Sequence, residues 1–586
     1  MQRLADRARA GHGAERGFFM VWFAVLFVTL VAFAGLALEY NRWESIGVRV
    51  QKAADAAALA GAVFLPDYLA TAQTTAKSTS SKNGFTHGQG GVTVTAVEGN
   101  LPNRLKVTIA VPTKNPWGAI VGYGNSTIVR TAVAEYQLPQ NLGSPENKFG
   151  NNPEETDLVN NPSPQFWGNV FGPGSQKSKG DAHQSTICGT NVDNCPNGGS
   201  NADYEATGYF YGIDIPEGIV GSVNIRVFDP AYVHVGDNCT DGNAVNSLNN
   251  AATLTAAQIP GYTGSVTPAT RYASGSGSPY CSGDQYYAEG GSTSNPWTTW
   301  TLRGPDATNW EPSNNPILCE NEFPGTYPET ATDLPNGTVD ANRLKTLLQS
   351  ASTYPGTNPA RTFASYFRQW VVMCSLINPD AGTYFLQVQT ATKVDGSAAP
   401  TAGGANRWAV QVGVGSDYSS VNGLKIYGSG RMAIYANATG ADTRFYLTRI
   451  PPGEAGKTLV LNFFDVGDAS LAGDIQVLPP PDSNVTGGVF TSCKYTAVAG
   501  NSTGPPWGTF TSTGSNCTVT GVSSGAGYNA QWVAFEIPIP NNYTCSSSTA
   551  TGCWVRLRFK YSAGASVQDT TTWSAYVLGE PVRIIE

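Results

Sequence analysis

From Phe18 to Leu38 the chain runs twenty-one residues without a charge. At ~1.5 Å rise per residue a helix of that length reaches about 31 Å, the thickness of a bilayer's hydrocarbon core. The apolar run continues without a proline into EYNRWESIGVRVQKAADAAALAGAVFL, and only Pro66 stops it. A secretory leader has an apolar core of ~7–15 residues and a small-residue cleavage site. This run is longer, and Ala34-Gly35-Leu36-Ala37 is a poor cleavage site, so an uncleaved anchor over residues 17–38 is expected. Arg3, Arg7, Arg9 and Arg16 precede it, which makes residues 1–16 a cytoplasmic tail by the positive-inside rule. Arg42, Arg49 and Lys52 on the far side oppose that rule, and the cysteines decide.

All ten cysteines lie beyond residue 187, and no C-x-x-C pair of the kind zinc prefers occurs. Disulfides in an oxidising compartment are the better reading, placing the bulk of the chain outside the cytoplasm. Spacing does not settle connectivity; the expectation is adjacent pairing, Cys188–Cys195, Cys239–Cys281, Cys319–Cys374, Cys493–Cys517 and Cys545–Cys553. A net charge of −8 with only 13% charged residues argues against a nucleic-acid partner. With 66 Gly, 37 Pro and 11% aromatics among 586 residues, frequent turns and pleated sheet are expected, and few long helices.

Beyond the span, Trp43, Ile46, Val50, Ala53, Ala57, Ala60 and Phe64 recur every three or four residues as one helical stripe. Ala53, Ala57, Ala60 and Gly61 keep that face small enough for another helix to approach closely. Two readings stand: the stripe covers the protein's own sheet, or it docks a partner helix. Asp67 is placed to cap a second helix through Lys77, which Asn83-Gly84 ends. Alternating strands come next at 92–97, 105–111 and 127–134, with Pro102-Asn103 as a turn. The whole makes a small pilin-like α+β module over 39–137.

Several of these residues carry a resemblance. Arg16-Gly17 precedes the apolar span, and Val50-Gln51-Lys52-Ala53-Ala54-Asp55-Ala56-Ala57-Ala58-Leu59-Ala60-Gly61-Ala62 comes after it. With Asn83-Gly84-Phe85 before two strands and the closing Thr131-Ala132-Val133-Ala134, the segment resembles the TadG-like proteins of bacterial tight-adherence (Flp) pilus systems. The resemblance covers about residues 15–135. It implies a single-pass protein of the bacterial cytoplasmic membrane with extracytoplasmic bulk, a role in pilus assembly, minor-pilin function or adhesion, and other pilus helices as partners. The chain departs from related patterns twice. Trp22 stands where processed pilins carry Glu, five residues after the cleaved Gly, and the Asp-x-Ser-x-Ser metal site of von Willebrand A domains is absent.

Residues 138–165 read as a polar linker, and beyond them the chain repeats itself. Phe210-Tyr211, Ile215-Pro216 and the strand ending Phe228-Asp229 match Phe445-Tyr446, Ile450-Pro451 and the strand ending Phe464-Asp465. Gln369-Trp370-Val371 matches Gln531-Trp532-Val533, and each copy closes on a tryptophan, Trp408 or Trp573. Short alternating strands between turns indicate two tandem antiparallel β-sandwich, jelly-roll-like domains, 166–415 with insertions and 425–586. In the insertions only 342–348 reads as helix. The fold expected is therefore mainly β behind an N-terminal transmembrane, pilin-like helix.

No catalytic motif emerges. The four histidines lack metal-ligand spacing, and no G-x-S-x-G elbow, phosphate loop or H-E-x-x-H occurs. Two acidic loops, Asp229 with Asp237 and Asp241, and Asp465 with Asp468 and Asp474, are candidates for Ca²⁺ or for plain turn chemistry. Trp297, Trp300 and Trp310 in the insertion are candidates for a glycan-binding row. The expectation is a non-enzymatic membrane-anchored component without catalytic, cofactor or metal residues. The alternatives are a surface adhesin or carbohydrate-binding display protein that uses the module only as an anchor, and a secreted-side hydrolase.

Overall fold

Helix α1 runs unbroken from Gln2 to Ala62, about 92 Å at 1.5 Å per residue. The computed structural model describes residues 2–65, 69–99, 104–136, 140–155, 165–193, 195, 199–262, 264–275, 277–287, 295–305, 312–326, 342–351, 361–419, 423–437, 442–490, 492–499, 508–525, 528–546, 552–578 and 582–585. From Phe18 to Ala34 the side chains of α1 are exposed. Beyond that, Gly35, Glu39, Gly47, Val50, Ala53, Ala54, Ala57, Ala58, Gly61 and Ala62 are buried on one face. That three-to-four spacing is the helical period, so one side of α1 is covered and the other is not.

The cover is local. Helix α2, Leu69–Lys82, and strands β1, Thr93–Glu98, β2, Arg104–Lys114, and β3, Asn125–Tyr136, form the module. The C-terminal strand Val582–Ile584 closes its four-stranded antiparallel sheet beside β3. Leu105, Val107 and Ile109 alternate inward from β2 and meet the alanines of α1. Gly84, at φ 92°, ends α2 as expected, and the Phe85 N–H donates back to the Ser80 carbonyl at 3.0 Å. The Pro66-Asp67 and Pro102-Asn103 turns lie outside the described residues.

The chain divides into two units, Met1–Leu138 with Gly579–Glu586, and Pro139–Leu578. The last residues of the second sequence copy thus belong to the first unit. Within the second unit the expected linker is not a linker. Asn141-Leu142 and Lys148-Phe149 are strands, and Leu142 and Phe149 are buried in its core. Residues 156–164 of that stretch lie outside the described residues.

The second unit is mainly β, built from two large antiparallel sheets. The two copies repeat one pairing order. In the first, Ser222–Phe228 lies between Trp370–Ile377 and Gly404–Val414. In the second, Thr458–Phe464 lies between Trp532–Pro538 and Asp569–Val577. On the other sheet Tyr209–Ile215 pairs with Gly382–Gln389, as Asp442–Arg449 pairs with Trp554–Tyr561. The copies are not separate bodies. Gln165–Phe171 of the first pairs with Arg431–Asn437 of the second, and on the other sheet Lys425–Ser429 of the second pairs with Tyr209–Ile215 of the first, with Leu142 bridging Gly428 and Thr448. One hydrophobic core runs through both. Trp408 stacks edge-on to Tyr211 and Trp300 with ring centroids 4.9 Å apart, and such contacts add to what burial of the rings already contributes.

The insertions hold more order than the sequence suggests. Thr298–Arg303 and Ile317–Phe323 extend the sheet that holds Tyr209–Ile215 and Gly382–Gln389, and Arg343–Gln349 is the expected helix. Gly242–Ala252 is a further helix, which the sequence pattern does not announce. Its buried Ala244, Leu248 and Ala251 have helical spacing, but the surrounding Asn and Ser mask it.

Candidate functional sites

Two places gather chemistry, one in each unit. The first is where α1 leaves its exposed stretch. The connection between β2 and β3 lies along α1 here. Glu39 is buried, and its Oε2 accepts hydrogen bonds from the Trp117 and Gly118 N–H groups at 2.8 and 3.1 Å. Trp43 Nε1–H donates to Asn115 Oδ1 at 3.0 Å, and Arg42 donates to the Lys114 carbonyl at 3.3 Å. A carboxylate out of water is costly unless it is hydrogen-bonded, and the two amides supply that partner. Gly35 leaves room for the Trp117 ring; a Cβ on it would stand 2.5 Å from Trp117 Cε3.

The small-residue stripe lies just beyond. Ala53, Ala57 and Gly61 are buried against β2, β3 and α2, and Ala60 is half-buried. A Cβ on Gly61 would overlap Leu105 and stand 2.7 Å from the Ala72 carbonyl. The close approach that Ala53, Ala57 and Gly61 permit is therefore taken by the protein's own α2 and sheet, while Ala60 keeps part of its surface.

The second place is the seam between the copies. Each acidic loop begins at a corner with the same geometry. Asp229 and Asp465 come directly after their strands at φ 55° and 60°. Their N–H groups donate to the Gln369 and Gln531 carbonyls at 3.1 and 3.0 Å. Their carboxylates accept the Arg368 and Ala530 N–H groups at 3.0 and 2.6 Å. Arg368 and Ala530 are themselves at positive φ, 50° and 58°. Asp is here the residue that satisfies a turned backbone, which is plain turn chemistry.

Downstream of these corners the loops converge. Asp237 from one copy and Asp468 from the other line a cavity of 540 Å³, together with Lys179, Gln285, Tyr286 and Tyr287. Ser470, Ser524, Ser566, Gln568 and Thr570 complete a wall in which Ala469 is the apolar residue. The buried Arg407 fixes Asp237, donating to its carboxylate at 2.5 Å and to the Gly283 carbonyl. Burial, then the neighbouring Asp569 and Asp237, push Asp468 up to about 8, while Lys179 opposes the shift. Burial and Asp468 likewise raise Asp465 well above the usual carboxylate range. At neutral pH the Asp468 carboxyl therefore keeps its proton and can donate as well as accept.

The other sequence candidates are dispersed. Asp241 pairs with His234 at 3.2 Å, and Asp474 lies on the strand Gly473–Leu478. Among the described residues no group of three or more His, Cys, Asp or Glu could hold a metal ion. Trp300 is core, its Nε1–H donating to the Pro230 carbonyl at 3.0 Å, so it presents no face to a glycan. Trp297 is half-buried with Lys393 Nζ 4.5 Å above its ring. Trp310 lies outside the described residues. His183 is half-buried and pushed down to about 4, by desolvation first and then by Arg431. The cysteines meet in the five adjacent pairs, with Cα atoms 5.2 to 6.2 Å apart, ordinary disulfide separations.

Residues 17–63 match a family model, Tad, described as "Putative Flp pilus-assembly TadE/G-like". No curated protein matches the chain. One solved structure, "The 2.6A structure of Infectious Bursal Virus Derived T=1 Particles", is 13% identical over 63% of this chain and 77% of that one, at a TM-score of 0.07. A superposition that poor carries no argument about this fold.

Proposed function

We propose that this chain is a membrane-anchored, non-enzymatic component of a Flp-type pilus system, with its tail inside the cell and its β-built bulk outside. The observation that carries the reading is the coincidence of the Tad match, residues 17–63, with a helix long and apolar enough to cross a membrane, Phe18–Ala62. The five cysteine pairs support the outward placement, because such bonds persist in oxidising compartments. The buried carboxylates of Asp229, Asp465 and Asp284 support a structural use of the acidic residues, since each accepts backbone N–H groups.

The test is complementation in the pilus-bearing host. Deleting the gene should abolish surface fibres, and the full chain should restore them. A chain whose residues 17–63 are replaced by an unrelated membrane helix should not. Restoration by that chimera would reduce the module to a mere anchor. Protease added to spheroplasts should digest the bulk of the chain and spare the tail; full protection would overturn the orientation.

A second reading, recognition of a surface glycan, is favoured by the seam cavity. Its volume lies within the range of small-ligand sites. A wall of hydroxyls, amides and two tyrosines suits a polyhydroxylated ligand better than an apolar one. Binding of the full-length protein to arrayed glycans, lost in Gln285→Ala and Gln568→Ala, would support it; unchanged binding in both would exclude the cavity.

A further inference from the structure

We propose that the connection between β2 and β3, residues 115–124, is a second membrane contact, inserted into the interfacial layer of a phospholipid bilayer beside α1. The inference rests on the anchoring of α1 and adds a depth and a partner to it.

Length carries the first step. The stretch Phe18–Ala34, exposed at every residue, holds seventeen residues, about 26 Å of helix. A hydrocarbon core of ~30 Å needs about twenty. A core that begins at Phe18 therefore reaches past Gly35, to about Ala37. The Trp117 ring is seated at Gly35, so it lies within that layer's edge rather than above it.

The chemistry of the connection agrees with that depth. Its sequence, Asn115-Pro116-Trp117-Gly118-Ala119-Ile120-Val121-Gly122-Tyr123-Gly124, carries no charge. Ile120 and Tyr123 are each 75% exposed and Trp117 39%, although nothing in a water-facing loop would favour displaying them. Trp and Tyr are the side chains that settle at a membrane's headgroup level, where one end is apolar and the other wet. Phe33 and Leu36 of α1, two residues before and one after Gly35, are exposed as well, and their suitable surroundings are lipid. Just above this level stand Arg42 and Lys114, cations placed to meet headgroup phosphates.

The backbone polarity of the connection is also answered from within. Glu39 accepts the Trp117 and Gly118 N–H groups, and the Asn115 N–H donates to the Gly124 carbonyl at 2.8 Å. Irregular backbone near lipid is tolerated where such partners exist. Glu39 thus acts as a clamp that holds the tip at a fixed height on α1.

The experiment uses the full chain in phosphatidylethanolamine–phosphatidylglycerol vesicles, with benzoylphenylalanine placed singly at positions 27, 89, 120 and 123. After irradiation, peptides are searched by mass for phospholipid adducts. Adducts at 27, 120 and 123 but not at 89 are expected. An adduct at 27 with none at 120 and 123 overturns the second contact and leaves the anchor standing. Cross-links from 120 or 123 to protein, whether a second copy or another chain, overturn the lipid as its occupant. No adduct at 27 sinks the anchor itself.

Discussion

Replacing Asp468 with asparagine removes a proton-binding group while keeping its shape and its place in the cavity wall. In the folded chain this carboxyl titrates at about 8, against 3.8 for an ordinary aspartate. The folded state therefore holds one proton more than the unfolded state between those values. Stability associated with that proton is fully present below about pH 4 and is lost as pH climbs through about 8. Four units at ~1.4 kcal/mol each set a ceiling on the order of 6 kcal/mol. The cavity opens to solvent and Lys179 lies nearby, so screening brings the effect to roughly 2–3 kcal/mol. His183 acts in the opposite sense, but its change is complete by about pH 6.5, and Asp181 and Asp229, both pushed up to about 6, have finished soon after. The buried Asp284, also raised well above the usual carboxylate range, is present in both proteins, so it is the difference between wild type and Asp468→Asn from pH 6.5 to 8.5 that reads the Asp468 cluster. For a unit of this size 1 kcal/mol moves the melting temperature by about 1 °C. Scanning calorimetry of wild type and Asp468→Asn should coincide at pH 4.5 and diverge by about 2–3 °C at pH 8.5, with the variant the more stable. Parallel curves across that range, or a wild type that gains stability as pH rises, would refute the reasoning.

Other perturbations act through the packing. Gly61→Leu forces a side chain into Leu105 and the Ala72 carbonyl and should cost more than ~2 kcal/mol, seen as faster amide exchange along α2. Arg407→Ala strands the Asp237 carboxylate and removes the cation near the buried Asp284, and should cost roughly 3–5 kcal/mol, measured by denaturant unfolding at pH 7. Removing Cys319–Cys374 as the double Ala variant frees a loop of sequence separation 55. It should cost about 4 kcal/mol, with non-reduced peptide mapping confirming the other four pairs.

The parts of the fold legible in the sequence are those in which one residue's environment is set by near neighbours. The apolar run and the alanine stripe announce α1, because a helix repeats its own period along one segment. The repeat is legible because each landmark marks a local demand. Phe228-Asp229 and Phe464-Asp465 stand where a strand turns through positive φ, and few residues other than Asp, Asn and Gly tolerate that geometry. What the repeat does not reveal is which edges meet. Strand pairing joins residues far apart in the chain, and Leu142, in a stretch that reads as linker, bridges partners at 428 and 448. Its two-residue strand is too short to alternate, so no periodicity betrays it.

The same distinction explains the sites. In the sequence Asp237 and Asp468 stand out only as members of two loops, each with turn chemistry as its alternative. The corners at Asp229 and Asp465 are turn chemistry, and the residues eight and three positions beyond are not. Because the copies are fused rather than strung out, equivalent loops from each face one cavity, and neither loop alone contains it. Duplication thus did more than lengthen a platform. It set two acidic loops against each other, and the high titration of Asp468, driven partly by Asp237 of the other copy, is a property of the pair. If the copies could be separated, that shift would fall with them, and the pH dependence of stability worked out for Asp468 would flatten even with every aspartate retained.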